Sequence, residues 1–376
     1  MPRIVFVQRQ VSQIDEPVYA LMHQLDSDAS FVLYWNDYGY ERSAVDPELG
    51  LVPDFKEVEV FHYPKTWVDE RCCTWRDILH SINKMHPRLV VLSDIPLRDR
   101  LCLAASMRAR GIKVAFRSDK NHISLTARNG WRLALERQIT HLFYNYLAPV
   151  SPLTNEYYAW REDAKRSIPF PYTTDLDKFA PPEEAQVRAR KRVRELLGIS
   201  ESTHVFLAAA KFVERENPWT LIRSYEQFSA DDADVYLLAL GDGPLLAEIR
   251  NYCVRQHIER IHFMGYVPFR EIQNYFFAAD TFLHFAHSEP WGVSPQDALI
   301  AGLSLIASEG VGSGKVFLSD ALSRFLVVST DHVIASERMR EVADANSVTN
   351  AFSEAQHHAL SYSAQICARQ WVDRSL

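Results

Sequence analysis

Apolar positions along the chain fall into two patterns. Short runs such as RIVFV, SFVLYW and KVAFR are almost wholly apolar, whereas the longer stretches between them place apolar residues three and four apart. Runs of the first kind predict strands covered on both faces of a parallel sheet, and stretches of the second kind predict the helices that cover them. In the first half, strands are expected at residues 3–7, 30–35, 57–62, 88–93 and 113–117, and RDRLCLAASMRARG should form a helix closed by Gly111. The stretch 128–146 places Arg128, Arg132 and Arg137 beside Trp131, Leu135 and Phe143. A half-buried domain helix is its ordinary reading, and a helix lying on a membrane surface is the alternative.

A second cycle starts near Ser202 and alternates in the same way: HVFLAAAKF, NPWTLIRSYEQFS, DVYLLALG, PLLAEIRNYCVRQH, IHFMGYV, REIQNYFFAA. Between the cycles lie Pro149, Pro152, Pro169, Pro171, Pro181 and Pro182, and then the charged run EEAQVRARKRVRELLG. Prolines interrupt regular structure, so this is the expected seam. Two α/β domains follow, residues 1–180 and 181–376, each a Rossmann-like doubly wound sheet, with the last helix able to return to the first domain. In such sheets ligands bind outside the strand carboxyl ends, here expected to face a central cleft.

A length of 376 residues suits two such domains. The charge balance, 41 Lys+Arg against 48 Asp+Glu for a net −7, argues against a nucleic-acid partner, which needs a basic surface. No run reaches the roughly 18 apolar residues of a spanning helix, and MPRIVFVQRQ is too short in apolar residues for a signal-peptide core. The cysteines, Cys72, Cys73, Cys102, Cys253 and Cys367, are odd in number and have no C-x-x-C spacing. A cytoplasmic location is the expectation, with the inner membrane face as a place of peripheral contact.

Chemistry concentrates in AHSEPWGVSPQDALIAG, residues 286–302. Glu289 ends a strand pattern, and Gly292, Val293 and Ser294 open a helix whose free N–H groups would favour an anion. Ser294 and Asp297, three apart, could instead form a capping box, which is the plain structural reading of Asp297. With AAAKFVERENPWTLI, VYLLALGDGP, IHFMGYVPFREI and IASEGVGSGK, this segment resembles the donor-binding domain of GT-B glycosyltransferases of family 4, retaining enzymes that use nucleotide sugars. FRSDKNHISL, SPLTNEYY and PFPYTTDLDKF in the first half resemble a branch of the same family.

The resemblance implies a GT-B fold and roles for particular residues. Glu289 and Asp297 match the family's E-x7-E pair, Glu289 at the donor sugar or its anomeric centre and Asp297 at the ribose hydroxyls. Aspartate is shorter than the family's glutamate by one C–C bond, about 1.5 Å. Lys211 and Arg215 match the basic pair that offsets charge on the leaving nucleoside diphosphate, and Glu216 stands where a second lysine is common. Trp291 is placed for donor contact, the backbone at Tyr266 and Val267 would flank the base, and Gly241 would approach the nucleotide. GVGSG, at 310–314, could turn its amides toward an anion. In the first domain His122 would touch the donor sugar. Arg117 and Asp119 would bind the acceptor, unless Asp119 simply pairs with Arg117. The family's glycine-rich loop after the first strand is replaced by VQRQVSQIDEPVY.

No Asp-x-Asp pair at a strand end suggests a cation site, so neither metal nor cofactor is expected beyond the nucleotide-sugar substrate. The implied donor is UDP- or GDP-linked. The implied acceptor is the hydroxyl of a saccharide or lipid-linked saccharide, in polysaccharide or glycoconjugate biosynthesis. Two other readings stay open: a binding protein on this fold with impaired turnover, and a GT-B sugar epimerase.

Overall fold

The computed structural model describes residues 1–9, 12, 14–35, 62–68, 74–93, 95–123, 130–159, 165–229, 234–344 and 349–374. Tertiary contacts divide them at Thr173/Thr174, and from Tyr362 onward the chain returns to the first unit. The expected strand at 57–62 lies outside the described residues, apart from His62.

Unit 1 contains a parallel six-stranded sheet made of β1 (Ile4–Gln8), β2 (Ser30–Tyr34), β3 (Lys65–Trp67), β4 (Leu89–Leu92), β5 (Lys113–Ser118) and β6 (Tyr146–Pro149). Its strand order is β3-β2-β1-β4-β5-β6. That is the doubly wound order, and it reverses between β1 and β4, where the crevice opens. The continuous apolar strands become buried on both faces: every residue of β1 and β4 is buried. The helix Ala364–Val372 packs beside Glu16–Leu25. Trp371 locks it there, with its ring 5.4 Å from those of Phe6 and Phe170 and its indole N–H donating to the Pro169 carbonyl at 2.8 Å.

The basic stretch forms the helix Gly130–Phe143, which packs one face on the unit 1 core through Leu133 and Phe143 and leaves the other exposed, as a half-buried domain helix does. Thr140 is its buried residue, and Trp131, Leu135 and Leu142 are 63%, 48% and 67% exposed.

Unit 2 repeats the design with β7 (His204–Ala209), β8 (Val235–Leu240), β9 (Ile261–Gly265), β10 (Thr281–His284), β11 (Ser304–Ser308) and β12 (Leu326–Val327). All pairings are parallel, and the order is β12-β11-β10-β7-β8-β9, which reverses between β7 and β10. The charged run before it forms the helix Glu183–Leu197, ended by Gly198 at φ 67°. A left-handed residue there costs glycine little. Within this polar helix Arg194 is buried, donating to the carbonyls of Ala278, Ser200 and Thr203 and pairing with Asp280 at 2.8 Å. A buried guanidinium is tolerable only because its N–H groups are matched in this way.

Candidate active site

The carboxyl ends of β7 and β10 in unit 2 bring together residues far apart in sequence. After β7 the chain runs through Lys211 into the short turn Glu214–Glu216, and after β10 it runs from His284 to Glu289. The loops are tied at the backbone, the His287 N–H donating to the Arg215 carbonyl at 2.9 Å. The glycine turn then holds Glu289. Its N–H donates to the Gly310 carbonyl at 2.8 Å, and its carbonyl accepts from the Gly312 N–H at 3.1 Å. The Ser313 N–H donates to the Trp291 carbonyl at 2.7 Å. Two amides of GVGSG therefore brace the Glu289 segment, which corrects the expectation that the turn offers them to an anion.

Charge is concentrated here. The Glu289 carboxylate accepts a short hydrogen bond from His284 Nε2, and Glu216 Oε2 lies 3.8 Å from the same nitrogen. Arg215 pairs with Glu216 at 2.6 Å, and Lys211 lines a cavity of about 20 Å³ together with Glu216 and His284. Burial raises the Glu216 carboxyl, helped by the nearby Glu289. Burial also opposes ionisation of Glu289 and His284, but their mutual attraction wins: Glu289 is held below its ordinary value and His284 above. The cluster is thus an ionised pair with a more readily protonated carboxyl beside it. Ligand atoms of Glu216, His284 and Glu289 lie within 4.8 Å of one another, so among the described residues these three could also hold a metal ion.

Gly292 precedes the helix Val293–Ile300 and adopts φ 86°. A Cβ there would lie 3.0 Å from Val311 Cγ1 and 3.1 Å from Glu289 Oε2. Gly292→Ala is accordingly expected to lose about 1–2 kcal/mol of stability, measured by urea unfolding, and to displace the Glu289 carboxylate. The backbone N–H groups of Val293 and Ser294 take no acceptor among the described residues, which leaves positive ends toward this site.

Other expected donor residues divide into placed and corrected ones. No Ser294 to Asp297 capping box forms, since Gly292 is the cap position and makes no side-chain cap. Asp297 instead accepts from the Thr174 hydroxyl, to which Gln296 also donates at 2.9 Å. Asp297 is 6% exposed, and burial pushes its carboxyl up to about 7 against the Thr174 bond and the Lys178 charge. Trp291 does not present its ring for ligand contact: it is 1% exposed, packs at 5.6 Å on Phe317 and donates its indole N–H to Gln296. An aromatic beside a catalytic-looking carboxylate is here core packing. Tyr266 and Val267 follow β9 at its carboxyl end, with Tyr266 exposed. Gly241 lies against the Lys211 loop, where a Cβ would come 1.9 Å from the Ala210 carbonyl oxygen.

In unit 1, His122 is exposed and meets the Tyr157 ring edge-on at 5.4 Å. Arg117 is buried and does not pair with Asp119. Both its terminal nitrogens bond Asp15 at 2.7 Å, and Asp119 accepts from the Tyr172 hydroxyl at 3.1 Å. Arg117, Asp119 and Asp15 line a cavity of about 240 Å³ at the carboxyl ends of β1, β4 and β5.

Sequence reasoning missed His284 and Asp15. A polar residue closing the apolar strand TFLH was the signal for His284; Asp15 lies 102 positions from its partner Arg117, and no local spacing reveals it.

A profile of the family described as glycosyl transferases group 1 matches residues 189–358. Alpha-monoglucosyldiacylglycerol synthase of Streptococcus pneumoniae is 27% identical over 160 residues, 42% of this chain and 34% of that protein. D-inositol 3-phosphate glycosyltransferase of Xylanimonas cellulosilytica is 27% identical over 167 residues, 42% of this chain and 38% of that protein. The matched segment thus spans about a third of each curated relative. The Anabaena protein HepE, solved in complex with UDP, superposes with a TM-score of 0.73 at 14% identity over 98% of both chains. Two parallel doubly wound sheets and this likeness of fold lead to one assignment: the chain has the GT-B fold, and its residues 189–358 are similar to the glycosyl transferases group 1 family.

Proposed function

We propose that the chain is a retaining, metal-independent glycosyltransferase that moves a sugar from a UDP-linked donor to an acceptor hydroxyl. The observation that carries this reading is the ionised Glu289, fixed by His284 and the glycine turn, beside Lys211 and Arg215 at the reversal point of the unit 2 sheet. HepE, which shares the fold, is also seen with UDP-glucose, and both curated relatives are named for glycosyl transfer or glycolipid synthesis.

In the proposed reaction the bond from the anomeric carbon to the β-phosphate oxygen breaks and the acceptor oxygen bonds to that carbon on the same face. The acceptor proton passes to the departing phosphate oxygen. Lys211, Arg215 and the open end of the Val293–Ile300 helix stabilise the growing negative charge, and Glu289 contacts the donor sugar. Asp297 holds the ribose, the backbone at Tyr266 and Val267 flanks the base, and Gly241 lies near the nucleotide. His122 approaches the donor sugar, and Arg117 with Asp119 serves the acceptor. Glu216, the sign reversal at this site, is matched by Arg215 and His284, so it does not by itself argue for loss of turnover. The exposed Trp131, Leu135 and Leu142 suit peripheral contact with a membrane carrying a lipid-linked acceptor. No helix among the described residues is long and apolar enough to cross one.

The test is a donor screen. UDP and one UDP-sugar are expected to raise the melting temperature, and that donor should release UDP when acceptor is supplied. Lys211→Ala should lower kcat/KM about tenfold to a hundredfold. Binding without release from any donor would support a binding protein instead, and free sugar formed without acceptor would support an epimerase.

A further inference from the structure

The loop after β7 carries Lys211 and Arg215, and its two ends are secured to different neighbours. At its start, the Phe212 N–H donates to the Asp242 carbonyl at 2.9 Å, and the Phe212 carbonyl accepts from the Leu245 N–H at 3.0 Å. Both partners lie just past β8, the strand on one side of β7. The far end, Arg215 to Asn217, turns instead to β10 on the other side. There the backbone bond from the His287 N–H to the Arg215 carbonyl is joined by a side chain outside the proposed reaction, that of Asn217.

Asn217 is buried and adopts φ 53° and ψ 54°, between the turn Glu214–Glu216 and Pro218, which opens the helix Pro218–Ser229. This left-handed conformation strains a residue with a side chain, although asparagine tolerates it better than most. Glycine would meet the backbone demand at less cost, so what asparagine adds here is its amide. Nδ2 carries two hydrogens and donates to two carbonyls, that of Phe285 at 3.1 Å and that of Ser329. Phe285 directly follows β10, and Ser329 lies just past β12. The Ser329 hydroxyl in turn meets His287 Nδ1 at 2.9 Å. One buried amide therefore joins the loops at the carboxyl ends of β7, β10 and β12, between Arg215 on one side and the approach to Glu289 on the other.

We propose that Asn217 is a positioning residue, whose side-chain amide fixes the spacing between the loop of Lys211 and Arg215 and the loop of Glu289. The inference rests on the reading of these groups as the donor site. Lys211 and Arg215 act on the departing phosphate and Glu289 on the sugar, so the two loops serve a single transition state and must be held in register. Binding of UDP, which has no sugar, does not make that demand. A misplacement of about 1 Å between groups that act together costs about a hundredfold in rate. Without the Asn217 amide, the Phe285 and Ser329 carbonyls lose a buried donor and the loops are free to part.

The test compares Asn217→Gly and Asn217→Asp in the full chain. Both remove the two donors, but glycine relaxes the backbone while aspartate keeps the size of the side chain. In both, kcat with a UDP-sugar should fall about tenfold to a hundredfold, and UDP affinity by calorimetry should stay within about threefold. Hydrogen exchange supplies a readout that needs no turnover. The His287 amide, bonded to Arg215, should exchange about tenfold faster, and the Glu289 amide, bonded to Gly310, should keep its rate. A lower melting temperature with turnover and exchange intact would make Asn217 a structural residue only and overturn the inference. Full turnover in Asn217→Gly overturns it too, since a slow Asn217→Asp would then reflect its new charge. If the parent chain turns over no donor, the transferase reading fails and exchange alone decides: faster exchange confined to His287 upholds the tie between the loops, and unchanged exchange overturns it.

Discussion

Glu289→Gln is expected to reduce donor turnover about a thousandfold while the chain stays folded. Glutamine has the size of glutamate, so it keeps the backbone brace from Gly310 and Gly312 and removes only the charge. That charge is present because His284 donates to it, which outweighs the opposing effect of burial. In the proposed reaction positive charge develops at the anomeric carbon as the donor bond breaks, and a fixed carboxylate stabilises that state more than the ground state. Removing one preorganised group of this kind costs about 3–4 kcal/mol, or about a hundredfold to a thousandfold in kcat. The upper end is expected because the substitution also leaves His284 with a weaker partner, so its ring loses orientation. Folding should survive, since the Glu216 carboxyl lies 3.8 Å from the same nitrogen and remains beside it. The check is UDP release at saturating donor together with UDP affinity by thermal shift. A variant that binds UDP as before and turns over slowly assigns Glu289 to the reaction, whereas full turnover removes it from the site.

How much of this was legible beforehand depends on whether the controlling interaction is local. Apolar runs specify buried parallel strands, so β1, β2, β4, β5, β8 and β9 fall where periodicity places them, within a residue or two at each end, whereas β7 stops three residues short of its apolar run and β10 ends at His284, before the expected end at Glu289. The three-residue strand β3 is too short to carry a period. Glu289 was legible because its neighbours form a dense motif. Its partner was not: His284 occupies an ordinary strand end, and only packing brings it, Glu216 and Glu289 to one point. Trp291 shows the reverse error, since position beside Glu289 suggested a ligand contact, but an indole has ample apolar surface to bury and Gln296 satisfies its N–H. Asp297 shows a third kind of gap. Three-residue spacing from Ser294 suggested a local cap, yet a long-range bond from Thr174, 123 positions away, takes the carboxyl inward. Side-chain burial, rather than spacing, then sets its acidity.

Asp297→Asn is expected to stabilise the chain at neutral and alkaline pH, by about 2–3 kcal/mol near pH 8, while weakening donor binding. The sign follows from the direction of the shift. Burial lifts the Asp297 carboxyl from 3.8 to about 7 in the folded chain, so between those values the folded state keeps a proton that the unfolded state has released. Stability therefore falls as pH rises through that window, and the full span corresponds to about 4 kcal/mol. Asparagine cannot ionise and escapes that loss, although its amide oxygen accepts the Thr174 hydroxyl less strongly than a carboxylate does. The advantage of the variant should thus shrink toward about pH 4 and level off above about pH 7. Urea unfolding of both proteins at several pH values measures it, and a gap that does not widen with pH would show that the carboxyl titrates in its ordinary range. The same variant examines the ribose role. A charged carboxylate accepts two hydroxyl hydrogen bonds where asparagine accepts with one oxygen, so UDP affinity should drop about tenfold. Gain of stability with loss of UDP binding would mean that the chain keeps an acidic group in an unfavourable interior position because the donor needs it; gain without loss would leave Asp297 to Thr174 alone.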